Sequence, residues 1–200
     1  MKVDTLIVGF GIAGLNYAEQ LRRHDKSFLV LASKEESASH LAAGIINPTV
    51  LKRFNPVWRA DDFFDYALTF YSDLEERIQS QMIYPMPIYR ILNDIQEQND
   101  WRVAASSTSL ENYLNKQLIS GDKYAEVSAP FAFGVVIQST RVDTKGLLSQ
   151  HIEKVIPHQL ILEKLDYGAF IKNTKISKSI RLYFVRAITG LKIPTLIIYL

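Results

Sequence analysis

The chain has 200 residues, 48% of them hydrophobic and 22% charged. That is the composition of an ordinary globular protein, which excludes disordered, collagen-like and low-complexity chains. Its 23 Lys+Arg against 21 Asp+Glu leave a formal charge of +2 with no dense basic run, so nucleic acid is not an expected partner. Zero cysteines exclude a disulfide framework, thiolate metal sites and a thiol nucleophile, and fit a reducing cytoplasm.

In chain order, the run VDTLIV from Val3 to Val8 reads as a buried strand, and Ile12–Arg23 carries apolar residues at helical spacing through Leu15, Ala18 and Leu21. After the turn at His24-Asp25-Lys26, Phe28–Leu31 is a second continuous apolar run of the kind buried in a parallel sheet. Together these predict a βαβ unit. Ser33–Asn55 lacks a sustained period and predicts a long functional loop with one helical turn around Leu41–Ile45. Asp61–Gln81 returns to helical spacing on an aromatic face, with acidic residues at its start.

Met82–Leu92 predicts a strand entered through Pro85 and Pro87, Ser109–Ile119 a helix, and Ala132–Gln138 a strand. Val142-Asp143-Thr144 resembles a cap before the amphipathic stretch KGLLSQHIEKVI. His158–Leu162 and Tyr167–Ile171 then read as short paired strands. Leu6–Leu15 is broken by glycines and too short to span a bilayer, while Arg186, Lys192 and Pro194 interrupt Leu182–Leu200, so no membrane segment is expected.

The strongest chemical signal is Gly9-Phe10-Gly11-Ile12-Ala13-Gly14, a G-x-G-x-x-G turn directly after a strand and opening a helix. Gly9 permits the tight turn, Gly11 lets backbone approach a diphosphate, and Gly14 allows close helix–strand packing; the free N–H groups of Ile12 and Ala13 attract negative charge. The acidic residue expected at the end of the second strand is replaced by Ala32, which leaves ribose contact to Ser33 or a displaced Glu35, with Lys34 beside them a further cofactor-binding candidate. The histidines His24, His40, His151 and His158 have no metal-ligand spacing, and no metal site is expected. Lys52, Arg53, Arg59 and Arg90 are candidates for lining an anionic substrate site, against the ordinary alternative of solvated surface charge. Tyr84 and Tyr89 read as core rather than catalytic residues.

GFGIAG followed later by Ser37-Ala-Ser-His-Leu-Ala-Ala-Gly-Ile-Ile-Asn-Pro48 resembles FAD-dependent oxidoreductases of the D-amino-acid oxidase superfamily, most closely the glycine-oxidase-like branch. The resemblance implies an α/β fold: a three-layer, Rossmann-like FAD-binding domain with an inserted, incomplete α+β substrate lobe. It implies that Ala42, Ala43, Gly44 and Ile45 border the isoalloxazine ring, and that Ser39 bonds the pyrophosphate or ribityl chain, while His40 is in reach of substrate. FAD is the implied cofactor and a small amine or amino acid the implied substrate, oxidised by hydride transfer to flavin N5. No catalytic side chain is assigned.

On this reading residues 1–82 and 140–180 form the FAD domain, 83–139 part of the substrate lobe, and 181–200 an atypical tail. Members of the superfamily run to about twice this length, and their later half supplies the cation that grips the substrate carboxylate. The tail SIRLYFVRAITGLKIPTLIIYL holds no Asp or Glu, and one back-translation of it, read in a shifted frame, gives a string nearer the family pattern, so a frameshifted or truncated product is expected. Two alternatives accompany the oxidase reading: an inactive remnant that keeps only the dinucleotide-binding βαβ, and an oxidase module linked to tRNA modification.

Overall fold

A computed structural model describes residues 3–163 and the backbone of 181–184. The elements in chain order begin with β1 (Thr5–Val8), α1 (Ile12–Arg23), β2 (Phe28–Ala32), α2 (Ala38–Leu41), β3 (Ile45–Ile46), β4 (Thr49–Val50) and β5 (Asn55–Pro56). There follow α3 (Ala60–Ile78), β6 (Ile83–Pro85), β7 (Ile88–Leu92), α4 (Ile95–Ala105) and β8 (Ala132–Val136). The last are β9 (Thr140–Val142), α5 (Thr144–Lys154), β10 (Leu160–Leu162) and β11 (Arg181–Phe184). The chain divides into two compact units, one of the residues up to Ala42 with those from Thr144 on, the other of Ala43–Asp143.

The first unit is a parallel sheet in the order β10-β2-β1-β11. Thr5 of β1 lies in register with Phe28 of β2 on one side and Arg181 of β11 on the other. Its fold follows from two apolar runs too short for helices and joined by an amphipathic one. Ile7 and Val30 of the sheet and Leu15 and Ala18 of α1 are fully buried. Full burial of each Ile, Val or Leu side chain contributes about 2 kcal/mol. The basic pair Arg22 and Arg23 ends α1, where cations suit the helix dipole.

The second unit holds three small antiparallel assemblies: β3-β9-β6, β4-β5 and β7-β8. Its core gathers Leu92, Trp101, Leu110, Leu114 and Val136. The apolar stripe of α3 buries Phe64, Phe70, Leu74 and Ile78, and Gln79 in the left-handed region terminates the helix. Glu75 on that helix accepts from the N–H of Met82 at 2.5 Å and of Ile83 at 2.7 Å, fixing the entry to β6.

Several elements differ from the sequence expectations. The helical turn lies at Ala38–Leu41, not Leu41–Ile45, because Ala42 is extended and Gly44 has a φ of 69°, after which Ile45 pairs with Arg141. Met82–Leu92 is two strands in separate sheets, split at Met86-Pro87. Ser109–Ile119 is not a helix: the N–H groups of Asn115 and Ile119 donate to the carbonyls of Val135 and Phe133, which ties this segment to β8. The helix of this region is α4, capped by the Asp94 carboxylate accepting from the Glu97 N–H at 2.7 Å.

The sequence places the domain boundaries at 82/83 and 139/140, whereas the compact units meet at 42/43 and 143/144. The reason is the partners of α3, since Phe64 stacks edge-on to Tyr113 and the Tyr113 hydroxyl donates to Asp61, both within the second unit. Arg181–Phe184, expected in the tail, supplies β11 of the parallel sheet. The expected strand Tyr167–Ile171 and the segment from 185 on lie outside the described residues.

Candidate functional site: the glycine turn of the parallel sheet

The chain leaves β1 at Val8 and turns into α1 within three residues. Gly9 adopts a φ of 97°, a region costly for any residue with a Cβ. Its N–H donates to the Leu31 carbonyl at 2.8 Å, which extends the β1–β2 pairing to the lip of the turn. A Cβ on Gly14 would meet the Gly9 carbonyl oxygen at 2.4 Å, so this glycine sets how closely helix and strand approach.

Gly11 caps α1 without a side-chain hydrogen bond, and the first turn of the helix contains no acidic residue. Its N-terminal N–H groups therefore present a partial positive charge that no side chain of the helix neutralises. The Ile12 N–H donates to Ser39 Oγ at 3.0 Å. A Cβ on Gly11 would meet that oxygen at 2.7 Å and Ser37 Oγ at 3.7 Å. The loop after β2 thus folds back so that the hydroxyls of Ser37 and Ser39 lie beside the backbone of Gly11.

Of the residues singled out in the sequence, the structure brings Gly9, Gly11, Ile12, Ala13, Gly14 and Ser39 together. Ser33 and Lys34 follow directly on β2 and are exposed. Glu36, two residues beyond Lys34, pairs with Lys145 Nζ at 2.9 Å, and this contact holds its carboxyl below the usual range. Ala42 ends the loop in the first unit. Ala43, Gly44 and Ile45 belong to the second, where the Gly44 carbonyl accepts from the Val142 N–H at 2.8 Å. His40 turns back on its own helical turn, its Nδ1 lying 2.8 Å from Ser37 Oγ and accepting from the Ser37 N–H at 3.2 Å.

Sequence reading missed a buried hydrogen-bonded pair beneath this turn. Glu19 on α1 and His151 on α5 are both fully buried, with Glu19 Oε1 2.8 Å from His151 Nε2 and Arg22 closing on the same carboxylate at 3.1 Å. Burial alone would raise the Glu19 carboxyl, but the hydrogen bonds from His151 and Arg22 outweigh it and bring it down to about 2. The Phe10 ring, inside the glycine motif, packs 5.7 Å from the imidazole. The one available signal was the position of His151 on the buried face of α5 with Leu147 and Leu148.

The second unit has a concavity of about 350 Å³ between Ile46-Asn47-Pro48 and the face of α3 that bears Phe63, Phe64 and Tyr71. None of its lining residues is charged, and Lys52, Arg53, Arg59 and Arg90 are not among them. Arg59 instead pairs with Asp62 at 2.8 Å and Arg90 with Glu97 at 2.7 Å. Tyr89 stacks edge-on to Tyr124 and Phe133. No group of three metal-ligating side chains occurs among the described residues, and none of their helices is long and apolar enough to cross a membrane.

A parallel sheet with a glycine-rich turn between its first strand and α1 is the architecture of a dinucleotide-binding α/β protein. The family model of the FAD-dependent oxidoreductases matches residues 4–156, and the chain belongs to that family. FAD is the cofactor this membership assigns. Among solved structures, glycine oxidase from Bacillus cereus is similar, with a TM-score of 0.62 at 16% identity over 82% of this chain and 46% of that one. Iminodiacetate oxidase from Chelativorans sp. gives a TM-score of 0.60 at 14% identity, covering 80% of this chain and 46% of that one. L-proline dehydrogenase from P. horikoshii gives 0.59 at 12% identity, covering 82% and 44% respectively. The chain therefore spans less than half the length of these structures, and at such identities they attest the fold.

Proposed function

We propose that this chain carries the FAD-binding part of an oxidase for a small amine or amino acid. The observation that carries the reading is the N-terminus of α1, which no side chain of the helix itself caps, with Gly11 lacking a Cβ beside the Ser39 hydroxyl that accepts from the Ile12 N–H at 3.0 Å. The family match to residues 4–156 supports it, as does the presence of glycine oxidase and iminodiacetate oxidase among the structural neighbours.

The chain's own residues bind and orient. Gly9 and Gly14 fix the turn, the N–H groups of Ile12 and Ala13 together with Ser39 Oγ hold the diphosphate, and Ser33 and Lys34, at the end of β2, take the adenosine ribose. Ala42, Ala43, Gly44 and Ile45, with little or no polar side chain, border the flat ring system and keep water from it. The flavin that these residues would hold would supply, at its N5, the hydride acceptor for oxidation at the substrate α-carbon. No acid–base side chain is assigned, and the absence of cysteine supports a cytoplasmic setting.

The test is anaerobic mixing of the FAD-loaded protein with glycine, iminodiacetate, proline and larger amino acids, following flavin absorbance near 450 nm, at roughly the wavelength set by the cofactor itself. Bleaching by at least one of them is expected. An FAD-saturated protein whose spectrum none of them changes would overturn the oxidase assignment while leaving FAD binding intact.

A further inference from the structure

We propose that Thr144 is a positioning residue for the cofactor site, setting the loop that carries Ser39 against the glycine turn; this rests on the FAD reading above. Thr144 opens α5 and is buried, and its hydroxyl donates to the Ser39 carbonyl at 2.7 Å, with the Ala42 carbonyl at 3.5 Å. Ser39 is held at both ends: its carbonyl takes the Thr144 hydroxyl, and its own Oγ accepts from the Ile12 N–H at 3.0 Å. A relay of two hydrogen bonds therefore runs from the first residue of α5 to the first turn of α1.

The residues of this loop, Ser33 to Ala42, are exposed or half-buried. Its only regular element, α2, buries no residue, so no apolar core fixes its height above the sheet. Lys145, beside Thr144, reaches Glu36 at 2.9 Å and holds the start of the same loop. Helix α5 is itself anchored, because His151 bonds Glu19 of α1 at 2.8 Å. Thr144 thus transmits the position of a fixed helix to a loop whose hydroxyl faces the place of the diphosphate. An error there of even about 1 Å moves a polar contact out of hydrogen-bond range.

The experiment compares wild type with Thr144→Val, which keeps the shape and loses the hydroxyl, and with Thr144→Ser, which keeps the hydroxyl. FAD affinity is read from quenching of flavin fluorescence, and backbone hydrogen exchange is read without FAD over 9–15 and 33–42. The valine variant is expected to bind FAD about tenfold more weakly, as for the loss of one neutral hydrogen bond. It should also exchange faster in 33–42 and at the Ile12 amide, with α3 unchanged, and serine should restore both properties. Wild-type exchange over 33–42 in the valine variant, or a serine variant as impaired as the valine one, overturns the proposal. A wild-type protein that takes up no FAD refutes the FAD reading, and the exchange comparison still decides the role of Thr144. Should valine prevent folding, Thr144→Ala, with no branched carbon to misplace, carries the same comparison.

Discussion

At the scale of single residues, the two glycines that flank the start of α1 do different work, and substitutions separate them. A methyl on Gly14 meets backbone, the Gly9 carbonyl at 2.4 Å, whereas one on Gly11 meets the rotatable Ser39 hydroxyl at 2.7 Å. Gly14→Ala is expected to cost about 1–3 kcal/mol in urea unfolding, as overpacking does. Gly11→Ala should unfold like wild type yet lose at least about tenfold in FAD affinity, because its methyl occupies the approach of the diphosphate. The reverse pattern would mean that the turn serves only packing.

Glu19 gives the second residue-scale prediction. Its carboxyl is at 4.5 in the unfolded chain and about 2 in the folded one, so folding favours the carboxylate. This contribution is complete above pH 4.5 and is lost as the pH falls toward 2. Between pH 5 and pH 3 the group should cost the fold about 2 kcal/mol, and Glu19→Gln, which still accepts from His151, should remove that share of the acid sensitivity. Equal pH slopes for the two proteins in urea titrations would contradict it. The glycines were legible in the sequence because their work is local; the Glu19–His151 pair, 132 positions apart, was not, since nothing within either helix points to the other.

Among elements, strand and helix starts in the βαβ unit were readable because their apolar runs are continuous and their period unambiguous. The segment Ser109–Ile119 was misread for a physical reason: Leu110 and Leu114 have helical spacing, but they are buried in the core while the backbone of the same segment bonds to β8. Tertiary pairing overrode a local period. Helix α4 was overlooked because its exposed residues, Ile95 and Val103, blur the stripe that Trp101 and Ala105 form.

That helix is held by Trp101, fully buried, whose Nε1 donates to the Asn115 carbonyl at 2.9 Å. The ring lies flat over Gly134 of β8, where a Cβ would come within 2.4–2.6 Å of three ring atoms. Pinned by its hydrogen bond, the indole has no cheap way to move. Gly134→Ala is expected to destabilise the protein by about 3 kcal/mol, with Trp101→Phe in the same background recovering part of the loss by freeing ring space. Calorimetric melting of wild type, the single variant and the double variant checks this, and a Gly134→Ala variant as stable as wild type would show that α4 does not rest on this strand.

For the whole molecule, the match to residues 4–156 places the chain in a family, while the neighbouring structures are covered over only 44–46% of their length. The glycine turn between β1 and α1 was legible because it is built from one short stretch of backbone. The division into units was less so, since α3 has the composition of either unit and only its contacts with Tyr113 and β6 assign it. Binding of substrate draws on side chains far apart in sequence, and no short pattern announces them.

The central claim is that the turn from Gly9 to Gly14, with Ser39 above it, holds the diphosphate of FAD. Equilibrium dialysis of the wild-type chain and Gly11→Val against FAD tests it most directly. Saturable uptake of one FAD per wild-type chain and none by the valine variant, with matching circular dichroism, is the expected result. Equal uptake by both proteins, or by neither, would contradict it.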